Sequence, residues 1–283
     1  MVILDGKEYS KKFREELKVK VAALKAERNL TPGLAVVIIG EDPASQIYVR
    51  NKMKAADDIG INSVTIRLSE TVSQSEAENE VKKLADNPDI DGIIVQLPLP
   101  DKFNAEKILS KIPAEKDVDG LCAENLGKLF QGEKCLVSCT PYGIINLLKG
   151  YGVELSGKRA VVIGRSNMVG KPVAALLLGE NCTVTVCHSK TLNLKSVVKE
   201  ADIVVAAIGK AKFVTADMIK DGAVVVDVGI NRVDGKIYGD VDFDGVKEKV
   251  SMITPVPGGV GPMTVATLMY NAYIACLRNH GVE

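Results

Sequence analysis

Apolar residues recur along this chain in two rhythms that take turns. Phe13, Leu17, Val21 and Leu24 stand three and four apart within residues 7–29, which is helical spacing. The run LAVVIIG at 34–40 is continuously apolar, β-type, and closes on glycine. A helix is expected to open at Asp42-Pro43, an N-cap followed by proline at the first helical position, and to stop near Gly60. A strand over about 63–68, a helix over about 73–86 and a strand over 91–97 (DGIIVQL) continue the alternation. Unbroken apolar strands separated by helices indicate a parallel sheet covered on both faces.

The pattern restarts after Pro141. A helix (143–150) leads through SGKR to the strand AVVIG (160–164), a helix from about 170, and the strand TVTVC (183–187). IVVAAIG (203–209) and AVVVDVG (223–229) follow at similar spacing, a doubly wound nucleotide-binding arrangement. RVDGKIYGDVD (232–242) carries a hairpin signal with Asp234-Gly235 as its turn. The glycine-rich loop TPVPGGVGPMT (254–264) then opens a closing helix to about 279.

Composition narrows the function classes. Lys+Arg and Asp+Glu balance at 36 each in 283 residues, so no net field recruits nucleic acid or an anionic membrane. The first 15 residues are charged almost at once and no apolar run approaches 18 residues, so neither a secretion signal nor a membrane span is expected, and the expected location is cytoplasmic. The six cysteines include no CxxC pair and are expected to be reduced, buried and structural, with metal binding or a disulfide as alternatives. Two histidines, His188 and His280, leave little material for a zinc site or a Ser-His-Asp triad.

Candidate chemistry gathers at strand ends. GRSNMVGKP (164–172) lies between a strand and a helix, where backbone N–H groups and a helix N-terminus can hold a pyrophosphate. It departs from G-x-G-x-x-G, with Ser166 where the second glycine is expected and the later glycine at Gly170; a simple glycine turn is the plainer account. The next strand ends in Cys187-His188-Ser189-Lys190, with no acid to hold ribose hydroxyls, while Arg165 lies in the glycine loop. A guanidinium and a hydroxyl suit a 2′-phosphate, which favours NADP over NAD; a solvated polar turn is the alternative.

On the helix from Pro43 to Ile59, Ala44, Tyr48, Val49, Met53, Ala55, Ala56 and Ile59 share one half of the helical wheel. Ile47 is the only apolar residue opposite. Lys52 is the single charge in the apolar half, one turn after Tyr48. It either snorkels past the stripe to water or, partly buried, serves in proton transfer. Gln96 stands at the carboxyl end of the third strand, the edge where α/β sheets place ligands, and enters Leu97-Pro98-Leu99-Pro100. Asp119 follows in KDVDG (116–120), where an Asp-Gly turn would account for it equally well.

Taken together and in order, DPASQIYVRNK (42–52), VQLPLP (95–100), KDVDG (116–120), GRSNMVGKP (164–172), DVGIN (227–231) and TPVPGGVGPMT (254–264) resemble the methylenetetrahydrofolate dehydrogenase/cyclohydrolase family. The resemblance covers essentially the whole chain. It implies an α/β protein of two domains: an N-terminal α/β substrate domain, residues 1–140 with 262–283 packing back on it, and a Rossmann-type doubly wound NADP domain, residues 141–261. A substrate cleft between the halves and a homodimer are implied as well. Tyr48 and Lys52 match the family's catalytic pair, Gln96 the glutamine that contacts the lysine, and Asp119 the aspartate that binds the pterin. Leu97 and Pro262 match positions beside the folate. Gly164, Arg165, Ser166, Ser189 and Ile230 match dinucleotide contacts. Tyr142, in CTPYG, departs from the smaller or charged residue expected there.

The chemistry so implied is oxidation of 5,10-methylenetetrahydrofolate to 5,10-methenyltetrahydrofolate with NADP, then hydrolysis to 10-formyltetrahydrofolate. Tetrahydrofolate one-carbon compounds are the expected partners, with no nucleic acid, no membrane and no metal. A dehydrogenase without the hydrolytic step, or a non-catalytic dinucleotide-binding module, would be distinguished by the absence of 10-formyltetrahydrofolate or of any turnover.

Overall fold

The computed structural model describes residues 1–282, and the side chain of Ala44, one of the apolar-stripe positions, lies outside what it describes. In chain order the elements are β1 (Val2–Ile3), α1 (Gly6–Arg28), β2 (Gly33–Ile39), α2 (Pro43–Ile59), β3 (Asn62–Leu68), α3 (Gln74–Asp86), β4 (Gly92–Val95), α4 (Ala105–Leu109) and α5 (Ala123–Gln131). There follow α6 (Cys139–Gly150), β5 (Arg159–Ile163), α7 (Gly170–Gly179), β6 (Thr183–Cys187), α8 (Leu194–Lys199), β7 (Ile203–Ala206) and β8 (Val224–Asp227). The chain closes with β9 (Asn231–Val233), β10 (Lys236–Tyr238), α9 (Phe243–Val246), β11 (Met252–Ile253) and α10 (Val260–Asn279).

Two compact units result. One comprises residues 12–139 and 265–283, the other residues 1–11 and 140–264. The sequence-based boundaries differ at both ends. Val2 and Ile3 pair with Met252 and Ile253, which draws the first eleven residues into the second unit. Pro262 also falls in that unit, because Val260 and Met263 join its core while Leu268, Met269, Ala272 and Ala275 join that of the other.

In the first unit three parallel strands run in the order β3-β2-β4. All seven residues of β2 are buried, as a strand covered on both faces requires. Helix α2 begins where expected: the Asp42 carboxylate accepts from the Ser45 N–H at 2.7 Å, Pro43 needs no N–H partner, and Gly60 ends the helix with φ 85°. Strand β4 stops at Val95, short of Leu97, although Gln96 N–H still donates to Val37 O at 2.8 Å. Pro98 has no N–H with which to continue the ladder.

The second unit holds six parallel strands ordered β1-β11-β8-β7-β5-β6. From β5 the chain moves outward to β6 and then back to β7 on the other side, so β5 and β7 flank a topological switch point. Strands β7 and β8 end earlier than their apolar runs because their continuations bond to side chains. The Asp240 carboxylate accepts from the N–H groups of Ile208, Gly209 and Lys210, and Asp227 accepts from Gly229. Helix α6 starts at Cys139, four residues before the expected 143, since Pro141 is tolerated in a first turn. The hairpin turn is as expected, with φ 49° at Asp234 and 75° at Gly235, the double left-handed turn that joins twisted strands. Helix α10 is, contrary to expectation, long and apolar enough by composition to cross a membrane; more than half of it is buried against the protein's own core.

Candidate active site

In the first unit β2 leads outward to β3 and β4 returns on β2's other side, so the carboxyl ends of β2 and β4 flank a switch point of their own. Helix α2 leaves from one of these ends and Gln96 from the other. Val49, Ala55, Ala56 and Ile59 bury the stripe of α2 against the sheet, and Ile47 is exposed, as the wheel predicts. Tyr48 is the exception, being half exposed although it belongs to the apolar half.

Lys52 is partly buried and its Nζ donates to Gln96 Oε1 at 3.0 Å. The ammonium therefore turns inward to the strand end, which removes the snorkelling account. Gln96 is fixed from its other side, because its Nε2 donates to Leu97 O at 2.7 Å. That bond settles which way the amide faces and leaves the carbonyl for the lysine.

The turn in KDVDG belongs to Asp117. Its buried carboxylate accepts from the N–H groups of Gly120 and Cys122 and from Asn125 Nδ2, at 2.8 to 3.2 Å. Asp119 is thereby released from turn duty. With Leu97 it lines a mainly apolar cavity of about 350 Å³ walled by Val95, Leu109 and Ile112, whose lining does not include Lys52 or Gln96. Desolvation raises the Asp119 carboxyl above the ordinary carboxylate range even though part of its surface stays open, and the Lys52 charge opposes the rise. The neighbouring Cys139 thiol is pushed up still further, first by burial and then by the Asp119 charge. Neither Asp117 nor Cys139 carried a sequence signal for these roles.

The second unit offers a nucleotide cradle at its switch point. A Cβ on Gly164, at φ 126°, would come within 2.1 Å of Ala207 O, and one on Gly170 within 2.3 Å of Gly164 O. Only glycine lets this loop fold back on the strands. Ser166 explains the departure from the usual fingerprint: its Oγ accepts from the N–H groups of Val169 and Gly170 at the start of α7. Its own proton stays available to an oxyanion.

Ile163 and Cys187 are register partners, so Arg165 and Ser189 each stand two residues beyond adjacent strand ends. Residues 188–191 form a tight turn, with Thr191 N–H donating to His188 O at 2.9 Å and His188 N–H to Thr191 Oγ1 at 2.8 Å. Arg165, Ser189 and Ile230 are all exposed. Glycines that permit close approach, a cation and hydroxyls beside it, and no acid at the end of β6 fit a 2′-phosphorylated dinucleotide.

Behind Ile230 the Asp227 carboxylate accepts from the N–H groups of Gly229, Asp240 and Val241. Burial raises this carboxyl to about 6, against the pull of those backbone donors and with the Asp240 charge adding to the rise. Sequence reasoning missed this pair entirely. Pro262 lies in the first turn of α10 and Tyr142 in that of α6, linked locally by a hydroxyl pair between Thr140 and Thr264 at 3.0 Å.

Comparison with known proteins bears on the whole chain. The catalytic-domain model of tetrahydrofolate dehydrogenase/cyclohydrolase matches residues 4–119, and its NAD(P)-binding-domain model matches residues 138–280. The chain is 54% identical over 279 residues to the bifunctional protein FolD of Streptococcus thermophilus, covering 98% of each. It is 52% identical over 284 residues to the FolD of Wolbachia sp. subsp. Drosophila simulans, covering 100% of this chain and 97% of that one. The crystal structure of the bifunctional FolD of Campylobacter jejuni superposes with a TM-score of 0.95 at 46% identity, over 98% of this chain and 99% of that one. FolD of Trypanosoma brucei, solved with NADP cofactor and an inhibitor, gives 0.92 at 40% identity over 98% of each. The chain belongs to the tetrahydrofolate dehydrogenase/cyclohydrolase family.

Proposed function

We propose that the Lys52–Gln96 pair carries the hydrolytic step, and Asp119 the substrate anchoring, of this bifunctional one-carbon folate enzyme. The enzyme oxidises 5,10-methylenetetrahydrofolate with NADP and hydrolyses the methenyl product to 10-formyltetrahydrofolate. The observation that supports the residue roles is the 3.0 Å bond by which Gln96, itself tied to Leu97, aims the amine of Lys52.

NADP, when bound, accepts the hydride that leaves the one-carbon bridge. The remaining cation is shared by two nitrogens and no proton has to be removed, so the protein's part in that step is placement. The carboxylate of Asp119 can accept two hydrogen bonds from adjacent pterin N–H donors. Hydration is different: water adds to the methenyl carbon and loses both of its protons, one released and one delivered to N5, as the carbon–N5 bond breaks and the oxygen becomes the formyl carbonyl. Lys52 mediates both transfers, Gln96 holds its Nζ in place, and Tyr48, one turn earlier on α2, helps to orient the substrate. Leu97 and Pro262 stand beside the folate. On the other unit, Gly164 and Ser166 would hold the pyrophosphate and Arg165 and Ser189 the 2′-phosphate of NADP, with Ile230 among the nucleotide-binding residues.

Absorbance-monitored turnover of methylenetetrahydrofolate with NADP and NAD in parallel tests the assignment. Release of 10-formyltetrahydrofolate with preference for NADP is expected, and methenyltetrahydrofolate as the only product would refute the role given to Lys52. We further assign a cytoplasmic homodimer, which the family resemblance supports; light scattering of the purified protein tests the dimer.

A further inference from the structure

Three side chains with dissimilar donor atoms meet where α10 ends, at the amino edge of β4 and so on the opposite side of that strand from Gln96. Asp91 immediately precedes β4 and is 2% exposed. Its Oδ2 accepts from Gly33 N–H at 2.9 Å, which holds the carboxylate, and its backbone carbonyl accepts from Asn279 Nδ2 at 3.3 Å, which holds the main chain. Its Oδ1 is buried with no hydrogen-bond donor. An orphaned buried oxygen of this kind costs free energy unless something positive reaches it.

The oxygen points into a pair of residues on one helix face. His280 N–H donates to Cys276 O at 3.1 Å, which carries the helical turn one residue beyond α10 and places Cys276 and His280 four apart on the same side. Cys276 is wholly buried. His280 Nε2 lies 3.2 Å from Asp91 Oδ1, and one donor atom from each of the three residues falls within 4.8 Å of the others. Around tetrahedral zinc the bond lengths imply ligand–ligand edges of about 3.3–3.8 Å, so a modest contraction closes the set. The His280 side chain is 35% exposed, and together with Asp91 it lines an open cavity of about 470 Å³ that gives water a way in.

We propose that Asp91, Cys276 and His280 bind a thiophilic divalent cation of the zinc type, with water in the fourth position. A histidine–aspartate ion pair with the Cys276 thiol hydrogen-bonded to the same carboxylate is the metal-free alternative, and uptake of cobalt with a thiolate band separates the two. Counting histidines in the sequence argues against zinc; a mixed oxygen, sulfur and nitrogen set needs only one. The bound ion would fasten the last turn of α10 to the lead of β4.

The test uses untagged full-length protein stripped with a chelator and titrated with cobalt(II), followed by zinc(II). One cobalt per chain should be taken up, with a thiolate-to-cobalt charge-transfer band and the visible bands of a tetrahedral site, and zinc should abolish both. Cys276→Ser should remove the charge-transfer band. His280→Gln, a partly exposed position that leaves the core intact, should weaken cobalt binding by more than the about 10- to 100-fold that losing an outer-shell partner costs. Absence of the thiolate band in the wild-type protein, or an unchanged titration in His280→Gln, overturns the proposal whether or not Cys276→Ser folds.

Discussion

Replacing Lys52 by Met separates the two activities. Methionine keeps an unbranched apolar stem on the buried stripe of α2 and removes only the amine. The loss frees Gln96 Oε1 from its 3.0 Å partner, a charged hydrogen bond worth about 1.5–3 kcal/mol, though part of the site is open to water and screening takes the effect toward the lower end. It also removes the positive charge that holds Asp119 down, so the carboxyl rises further above the ordinary range and folate affinity weakens somewhat. These placement effects fall on both reactions, roughly 10-fold on the figures above. Removal of positioned acid–base catalysis falls on hydration alone and costs about 10²–10⁴-fold. The expected variant oxidises methylenetetrahydrofolate at a reduced rate and accumulates methenyltetrahydrofolate. Preformed methenyltetrahydrofolate mixed with the variant, its absorbance followed against a buffer blank, isolates the second step. Decay at the wild-type rate, or equal losses in both steps, would refute the role given to the amine.

Other expectations follow from the remaining groups. Arg165→Ala should weaken NADP by about 10- to 150-fold in a fluorescence titration and NAD far less, while equal losses would mean that the arginine only shapes the loop. Asp119→Ala should depress both activities together and leave NADP affinity intact; in the wild type the apparent affinity for folate should begin to fall, on acidification, at a higher pH than an ordinary carboxylate dictates. Asp227 binds its proton at about pH 6 in the folded protein and near 4 when unfolded, so between those values the native state holds more protons. Its contribution to stability is therefore present below about pH 4 and lost as pH rises to about 6, by at most about 3 kcal/mol. The stability of the wild type relative to Asp227→Asn, read from urea midpoints, should fall as pH rises across that range; a constant gap would assign Asp227 a purely hydrogen-bonding role.

The long alternation of apolar strands and helices was legible because each element buries a wide face, and periodicity reports wide faces. Residues 2–3 and 252–253 were not, since a two-residue strand has no period; only its partner, far away in the chain, makes it a strand. The same reason moved the domain boundaries. At the site, Lys52 was visible as a charge on an apolar stripe and Gln96 as a polar strand end, but their meeting depends on a fold, and family resemblance supplied what pattern could not. Tyr48 shows the converse: the wheel placed it inward, and it stands half exposed because a helix beside a ligand edge need not bury its whole stripe. Asp117 outran Asp119 for the turn by geometry that the shared motif letters conceal. The Asp227–Asp240 pair left no trace at all, since an aspartate closing a strand looks the same whether it caps a loop or faces water.

The interleaving of the two units bears on how the protein can be made. Neither unit is a contiguous stretch, because residues 1–11 belong with 140–264 and residues 12–139 with 265–283. On the ribosome, the sheet that includes Val2 and Ile3 must wait for Met252 and Ile253 to emerge, and the core around Leu17 and Val21 must wait for Leu268 through Ala275. The three strands beneath the catalytic residues are all made by Val95, but the helix that completes the core beside them comes only with residues 268–275. A chain released early, even by a score of residues, leaves a nascent hydrophobic face with no cover, and a chaperone would meet it there.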